Sequence, residues 1–397
     1  DDSERFALGL ASGCPRPDGM VLWTRLSGAA LPERTPVAWE LAEDEAFSRI
    51  AAQGVELAVA ADAHSVHAEP AGLAPDRWYW YRFSALGQRS RIARTRTAPA
   101  ANAAVDRLRL AIASCQRWDH GRYAAWGDVA RQELDLVLFL GDYIYEYAGA
   151  GANSTTPRSH LGGLCRSLAD YRQRYAQYKS DPQLQAAHER APWIITWDDH
   201  EVDNDWAGDQ SQGLEPDFGA RRAAAMQAYW EHMPFPKALR PQGGAMRIHA
   251  RHDWGRLARI ISLDGRQWRD PQACPKPGRG GSNTVSLKDC PQLLDPRRSL
   301  LGTAQEQWLA QSWDTGRPWN LLAQQTLMAG MNWQENPREA PISWTDGWDG
   351  YPAARQRLLR DLAARRPEKS TMNAVVLGGD VHANYVADLR LDPRDEK

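Results

Sequence analysis

The sequence predicts two units in series, an all-β unit over residues 1–100 and an α/β unit over residues 101–397. Three observations carry this. The first hundred residues hold short, turn-bounded strand patterns with no long helix between them, as in a β-sandwich. From Leu108 onward, apolar strands alternate with helical stretches, the βαβ pattern of an α/β sheet. Several of those later strands run directly into residues with metal-binding side chains.

In the first unit, Gly19 to Leu26 reads as a strand after a turn at Pro15 to Asp18. Val37 to Leu41 and Ser65 to Ala68 follow, and the aromatic run Trp78 to Phe83 is the clearest strand. Thr95 to Ala104 is rich in Ala and Pro without periodicity and reads as a linker. In the second unit, Leu108 to Ala113 is a strand, Ala124 to Glu133 a helix, and Leu134 to Leu140 a strongly apolar strand. Leu168 to Arg190 is helical with a break near Asp181-Pro182. Trp193 to Trp197 is a short strand and Arg221 to His232 a helix. The last strands expected are Ala258 to Leu263, Asn320 to Ala323 and Ala374 to Leu377.

Composition narrows the function. The chain has 397 residues, 43% hydrophobic and 25% charged, which excludes a disordered chain. Lys+Arg 48 against Asp+Glu 50 gives a net charge of −2, so no general nucleic-acid partner is expected. No apolar run approaches the roughly 20 residues of a membrane span. The 18 Trp point to aromatic cores or an aromatic-rimmed pocket, with Trp206, Trp333, Trp344 and Trp348 as rim or packing residues. Asp1 to Arg5 has none of the features of a signal peptide, so the chain is either cytosolic or a processed form. The 5 cysteines include no C-x-x-C. Cys274 and Cys290 flank a Gly/Pro/Ser-rich loop, which leaves open a disulfide or two unrelated thiols.

The chemistry sits at the strand ends. Cys115, Asp142 with Tyr145, Asp199 with His200, Asp264, and Asp380 with His382 each follow an apolar strand. In open α/β sheets, such ends converge in space. A single Asp after a strand is usually a helix cap, but four or five clusters together are not explained that way. Thiolate, phenolate and imidazole suit a transition metal, and phenolate favours ferric iron. Carboxylates suit a hard cation such as calcium or magnesium. Asp142 is placed to bridge the two, and a cation pair suits in-line displacement at phosphorus by a metal-activated hydroxide. Competing motifs fail. There is no G-x-S-x-G and no phosphate-binding glycine loop, and His200-Glu201-Val202-Asp203-Asn204 lacks the second His of a zincin. His64, His67, His160, His188, His232, His249 and His252 show no metal-like pairing.

Three segments carry a resemblance: Gly141-Asp142-Tyr143-Ile144-Tyr145-Glu146-Tyr147, Trp197-Asp198-Asp199-His200-Glu201-Val202-Asp203-Asn204 and Gly379-Asp380-Val381-His382. They resemble the PhoD-like alkaline phosphatases/phosphodiesterases of the calcineurin-like metallophosphatase superfamily. Phe6 to Gly13, Asp18 to Leu26, Tyr171 to Tyr175, Leu263 to Gln267 and Trp348 to Pro352 are similar to further signatures of that family. The resemblance implies an α/β metallophosphatase four-layer β-sandwich flanked by helices. A small immunoglobulin/fibronectin-like all-β domain would precede it.

By the same resemblance, Cys115 takes the place of the His in the superfamily's D-x-H. Asp142 bridges, and Tyr145 and His382 join Cys115 around iron. Asp199 and Asp380 hold the second ion, with Asn204 as a further oxygen ligand. His200 and Asp142 are the catalytic pair, and His200 steadies charge or protonates the leaving group. The cofactors implied are Fe3+ and Ca2+, with Mg2+, Mn2+ or Zn2+ as alternatives at the second site. No counterpart of the superfamily's isolated fourth-motif His is evident near Leu322 to Gln325. Arg117 and Arg266, with Arg122 and Arg269, are candidate phosphate binders; solvated or internally paired arginines are the competing reading.

The function implied is hydrolysis of phosphoric mono- or diesters, on small-molecule, lipid or polymer substrates. A phospholipase-D-like diesterase and a non-catalytic binding protein with a degenerate site are the alternatives. The family's habit of export by the twin-arginine route implies a periplasmic or extracellular protein. The chain ends soon after His382, where relatives usually continue.

Overall fold

Alternating apolar residues organise the first hundred positions into two facing sheets. β1 (Leu10–Arg16) and β2 (Gly19–Arg25) pair antiparallel. β3 (Arg34–Ala42) and β4 (Ile50–Val59) form a second antiparallel pair. β5 (Ser65–Ala68) adds to β2, while β6 (Trp78–Ala85) adds to β3. The short β7 (Gln88–Arg89) and β8 (Ala93–Arg96) both pair with β6. Along β6 alternate residues are buried, and Tyr79, Tyr81 and Phe83 meet Leu10, Met20 and Leu22 in one core. The computed structural model describes residues 4–149, 155–334, 336, 339–365 and 372–391; Asp1 to Ser3 lie outside them. The expected linker begins later than Thr95, because β8 claims Thr95 and Arg96 for its ladder with β6.

The second unit starts with β9 (Leu110–Ala113), α1 (Ala124–Val129) and β10 (Leu136–Phe139). α2 (Leu168–Lys179) and α3 (Pro182–His188) are separate helices because Asp181 caps the second and Pro182 occupies its first turn. β11 (Trp193–Ile195) follows, then α4 (Phe218–His232). β9, β10 and β11 run parallel, and β11 is joined on its far side by β1. The resulting six-stranded sheet has the order β5-β2-β1-β11-β10-β9. Strands of the first hundred residues therefore continue the sheet of the second unit. β1 meets β11 at Gly13 opposite Trp193, where an added Cβ would stand 2.7 Å from the Pro234 carbonyl oxygen.

A second sheet comprises β12 (Ala250–Trp254), β13 (Ala258–Ser262), β15 (Trp319–Ala323) and β17 (Asn373–Leu377). Its last three strands are parallel. A ribbon of β14 (Thr284–Ser286) and β16 (Ile342–Trp344), with α5 (Thr303–Ala310) and α6 (Pro352–Ala364), completes the described strands and α-helices. The unbroken apolar run in β10 is explained by burial on both faces. Leu136 and Leu138 pack with Ile194, Ile260 and Ala323, whereas Val137 and Phe139 face the aromatic core formed with α1 to α4. Trp206 and Trp348 are packing residues at 0% and 1% exposure; Trp333 and Trp344 are partly exposed and sit edge to face.

Trp193 is the keystone of the aromatic core, 3.8 Å from His188 and 4.9 Å from Trp126 between ring centres. Trp193→Ala is expected to cost about 3–5 kcal/mol in urea unfolding. Trp319→Ala, at a residue 42% exposed, is expected to cost far less. Equal losses would contradict this account of the core.

Candidate metal centre

The parallel strands β9, β10 and β11 of one sheet and β17 of the other deliver their carboxyl ends to one place. Cys115 follows β9 by two residues, Asp142 and Tyr145 follow β10, Asp198 to His200 follow β11, and Asp380 and His382 follow β17. Cys115, Asp142, Asp380 and His382 all adopt left-handed backbone, with φ of 57°, 59°, 68° and 52°. Such a conformation costs roughly 1–3 kcal/mol per non-glycine residue, and it collects at functional sites.

Two kinds of donor set form. Donor atoms of Cys115, Asp142 and His382 lie within 4.8 Å of one another. The Tyr145 hydroxyl joins them, donating to Asp142 Oδ2 at 3.1 Å and lying 3.0 Å from His382 Nε2. The Asp380 N–H donates to Cys115 Sγ at 3.2 Å. Beside this, Asp142, Asp199 and His200 form one group of donors, and Asp198, Asp199 and Asp380 another, within the same 4.8 Å limit. Asp142 thus belongs to both sides.

The electrostatics fit cations. Burial, then the Asp142 charge, pushes the Cys115 thiol and the Tyr145 phenol well up. Burial also raises Asp142 and Asp380, and raises Asp198 to about 7. Burial works against Asp199 as well, yet Arg266 and His200 hold it below the usual carboxylate range. Burial opposes charge on His200, but Glu146, Asp199 and Asp142 outweigh it and favour imidazolium. Asp142 Oδ1, Asp198 Oδ2 and Asp199 Oδ1 are buried without a hydrogen-bond partner. Orphaned carboxylate oxygens facing a thiol, a phenol and an imidazole are what a cation pair would satisfy, and bound cations would reverse the upward shifts.

Other residues hold the donors in place. The Glu201 carboxylate accepts the backbone N–H groups of Asp142 (3.2 Å), Tyr143 and Asp198 (2.8 Å), tying two loops together. Gly141 allows their close approach, because at φ +113° an added Cβ would stand 2.5 Å from that of Asp198. Arg174 donates to the carbonyls of Tyr145, Tyr147, Leu161 and Gly163. Glu146 accepts His200 Nδ1 at 2.7 Å and the Asn204 N–H at 2.9 Å.

The remaining sequence candidates are placed as follows. The Asn204 side-chain oxygen accepts the Tyr147 hydroxyl at 2.8 Å. Asp264 accepts Trp197 Nε1 at 2.9 Å and the Arg266 N–H at 3.1 Å, which makes it a loop brace. Arg266, 1% exposed, donates to Asp198 at 2.5 Å and is bidentate to Asp346 at 2.9 and 2.8 Å. Arg269 is likewise spent on Asp346. Arg117 stands at the rim, paired with Asp119 at 2.8 Å and 5.5 Å from the centre of the Tyr145 ring. Arg122 is exposed. Of the other histidines, His67, His160, His188 and His232 bond internally to Phe235, Tyr178, Tyr143 and Arg25.

The chain is similar to known proteins over both of its units. A family model described as PhoD-like phosphatase matches residues 110–397, and one for the PhoD-like phosphatase N-terminal domain matches residues 1–99. The chain belongs to the PhoD-like phosphatase family. It is 43% identical over 399 residues to alkaline phosphatase D of Bacillus subtilis (strain 168), covering 98% of this chain and 66% of that relative. A solved structure titled "Structure of PhoD" superposes with a TM-score of 0.90 at 41% identity, covering 99% of this chain and 74% of that one.

Sequence reading missed Glu146, Asp198, Arg174 and Asp346. The first three lie inside the family-like segments, but only the folded chain shows Glu146 bonded to His200. Ion binding should stabilise the fold. At a hundred times Kd it adds about 2.7 kcal/mol, roughly 3 °C in Tm at this size. Metal-loaded protein is expected to melt that much above chelator-stripped protein in calorimetry, and coincident transitions would contradict a metal centre here.

Proposed function

We propose that this PhoD-like chain hydrolyses phosphoric monoesters, diesters or both at a two-cation centre. The observation that carries the reading is Asp142, one buried carboxylate shared between a thiol–phenol–imidazole set and a neighbouring set with Asp199 and His200, where Asp199 in turn joins Asp198 and Asp380. Fe3+ suits Cys115, Asp142, Tyr145 and His382. Ca2+, or alternatively Mg2+, Mn2+ or Zn2+, suits Asp142, Asp198, Asp199 and Asp380. Asn204 is retained as an outer oxygen donor, freed for that role only if Tyr147 releases it. When bound, the cations would supply Lewis-acid charge and make water more acidic for attack at phosphorus.

The chain's own residues do the rest. Arg117 meets the phosphate oxygens at the rim. Arg266, saturated by aspartates, acts by bracing Asp198. Glu146 holds His200 through Nδ1, leaving Nε2 to steady charge or protonate the leaving oxygen. The facing cores on both sides of the paired sheets support the four-layer metallophosphatase architecture, and the facing sheets of residues 1–100 support a β-sandwich domain there. The Cys274–Cys290 disulfide supports an oxidising compartment, periplasmic or extracellular, reached by twin-arginine export. No helix among the described residues is long and apolar enough to cross a membrane.

Nitrophenyl phosphate mono- and diesters test the reading. Asp142→Ala is expected to lower kcat/KM by about a thousandfold, roughly 4 kcal/mol. Retention of most activity would remove Asp142 from its bridging role. A visible absorption band from Tyr145 and Cys115 to iron is expected, and is lost in Tyr145→Phe/Cys115→Ala. Elemental analysis finding stoichiometric zinc and no iron would overturn the metal assignment.

A further inference from the structure

Asp199 belongs to two of the three donor groups, and a residue outside those groups, Asp205, hydrogen-bonds it. Asp199 Oδ2 accepts the backbone N–H of Asp205 at 2.7 Å, while its Oδ1 has no hydrogen-bond partner and lies 3.5 Å from Arg266 Nη2. Asp205 itself sits at φ 57°, a left-handed conformation that surrounding structure must enforce.

The enforcement comes from a loop distant in sequence. Asp205 Oδ2 accepts the Ser282 N–H at 2.9 Å, the Ser282 hydroxyl at 2.6 Å and Gln212 Nε2 at 2.9 Å. The Asp205 carbonyl accepts Gln272 Nε2 at 2.8 Å, and the same amide group reaches Asp346 at 2.6 Å. Ser282 lies inside the loop closed by the Cys274–Cys290 disulfide, a sequence separation of 16. Gly281, at φ +79°, presses so close that an added Cβ would stand 2.9 Å from that of Asp205. On its far side the loop is fastened to Thr345, which follows β16 and precedes Asp346. The Asn283 N–H donates to the Thr345 hydroxyl at 2.8 Å, and the Thr345 N–H donates to the Asn283 carbonyl at 2.9 Å.

We propose that Asp205 is a positioning residue for the second cation, and that the disulfide-closed loop is the clamp that holds it. The loop fixes the Asp205 carboxylate, the fixed residue presents its N–H to Asp199 Oδ2, and the Asp199 carboxylate is thereby held in the orientation in which it would serve the cation. Hydrogen bonds that orient a metal-binding carboxylate are typically worth ten- to a hundredfold in metal affinity. The inference rests on the two-cation reading above. A loop that merely stabilised the fold would affect both ions together, whereas a clamp on Asp199 affects one.

Equilibrium dialysis of the full chain against calcium, with iron and calcium counted per chain, separates these. Asp205→Ala is expected to weaken calcium binding ten- to a hundredfold, with iron content and the visible band retained. Asp205→Asn keeps an acceptor for Ser282 and is expected to recover most of the loss. Ser282→Ala and Cys274→Ser/Cys290→Ser are expected to weaken calcium in the same sense by less. Unchanged calcium affinity in Asp205→Ala, or iron and calcium lost together, overturns the proposal. Where Asp205→Ala fails to fold, unchanged calcium affinity in Ser282→Ala does so. Wild-type protein that holds iron but no divalent ion overturns the two-cation reading itself; a calcium-loaded wild type with unaltered variants overturns only the clamp.

Discussion

Like charge confined to a dry space is the constraint on which the site depends. Asp142, Asp198 and Asp199 are 1%, 1% and 3% exposed, and Asp380 shares a donor group with the latter two. Carboxylates this close resist ionising together. Among the described residues, Arg266 and His200 are the cationic side chains built against them from within. The surrounding architecture maintains this unfavourable arrangement. Strand ends hold left-handed residues, Glu201 pins two loops with one carboxylate, and Arg174 collects four carbonyls behind Tyr145. Removing one partner of a buried ion pair such as Arg266 with Asp198 or Asp346 costs roughly 3–5 kcal/mol, so these supports are as constrained as the donors.

Much of this was readable before folding. Strand positions from β6, β10 and β17 follow directly from apolar runs, and the donors Cys115, Asp142, Tyr145, Asp199, Asp380 and His382 follow from what comes after those runs. What was not readable is partnership. Arg266 looks like a phosphate binder in sequence because it follows a strand, yet burial gives its guanidinium to Asp198 and Asp346. Asp264 has the same position in sequence as a donor, but its carboxylate turns back to Trp197 and its own loop. These outcomes depend on contacts across more than 60 positions, which no local pattern encodes. The cysteine pair is similar: spacing left Cys274 and Cys290 undecided, and only the folded loop joins them.

The donor types also explain why the two halves of the site differ. Cys115 and His382 arrive from opposite sheets, with Tyr145 rising between them from the loop after β10. The neighbouring half receives only carboxylates and the His200 imidazole. A soft-to-intermediate ion and a hard ion would therefore each find the chemistry they prefer without any difference in strand geometry.

The contact of Gly13 with Trp193 gives the front of the molecule a different character from a tethered module. Because β1, β2 and β5 extend the same sheet that ends in Cys115, Asp142 and Asp199, the leading segment is a wing of the catalytic sheet. Such a wing cannot be shuffled out and replaced by another domain during evolution without exposing a raw strand edge beside Trp193, so recombination should have kept the two segments together as one inherited piece.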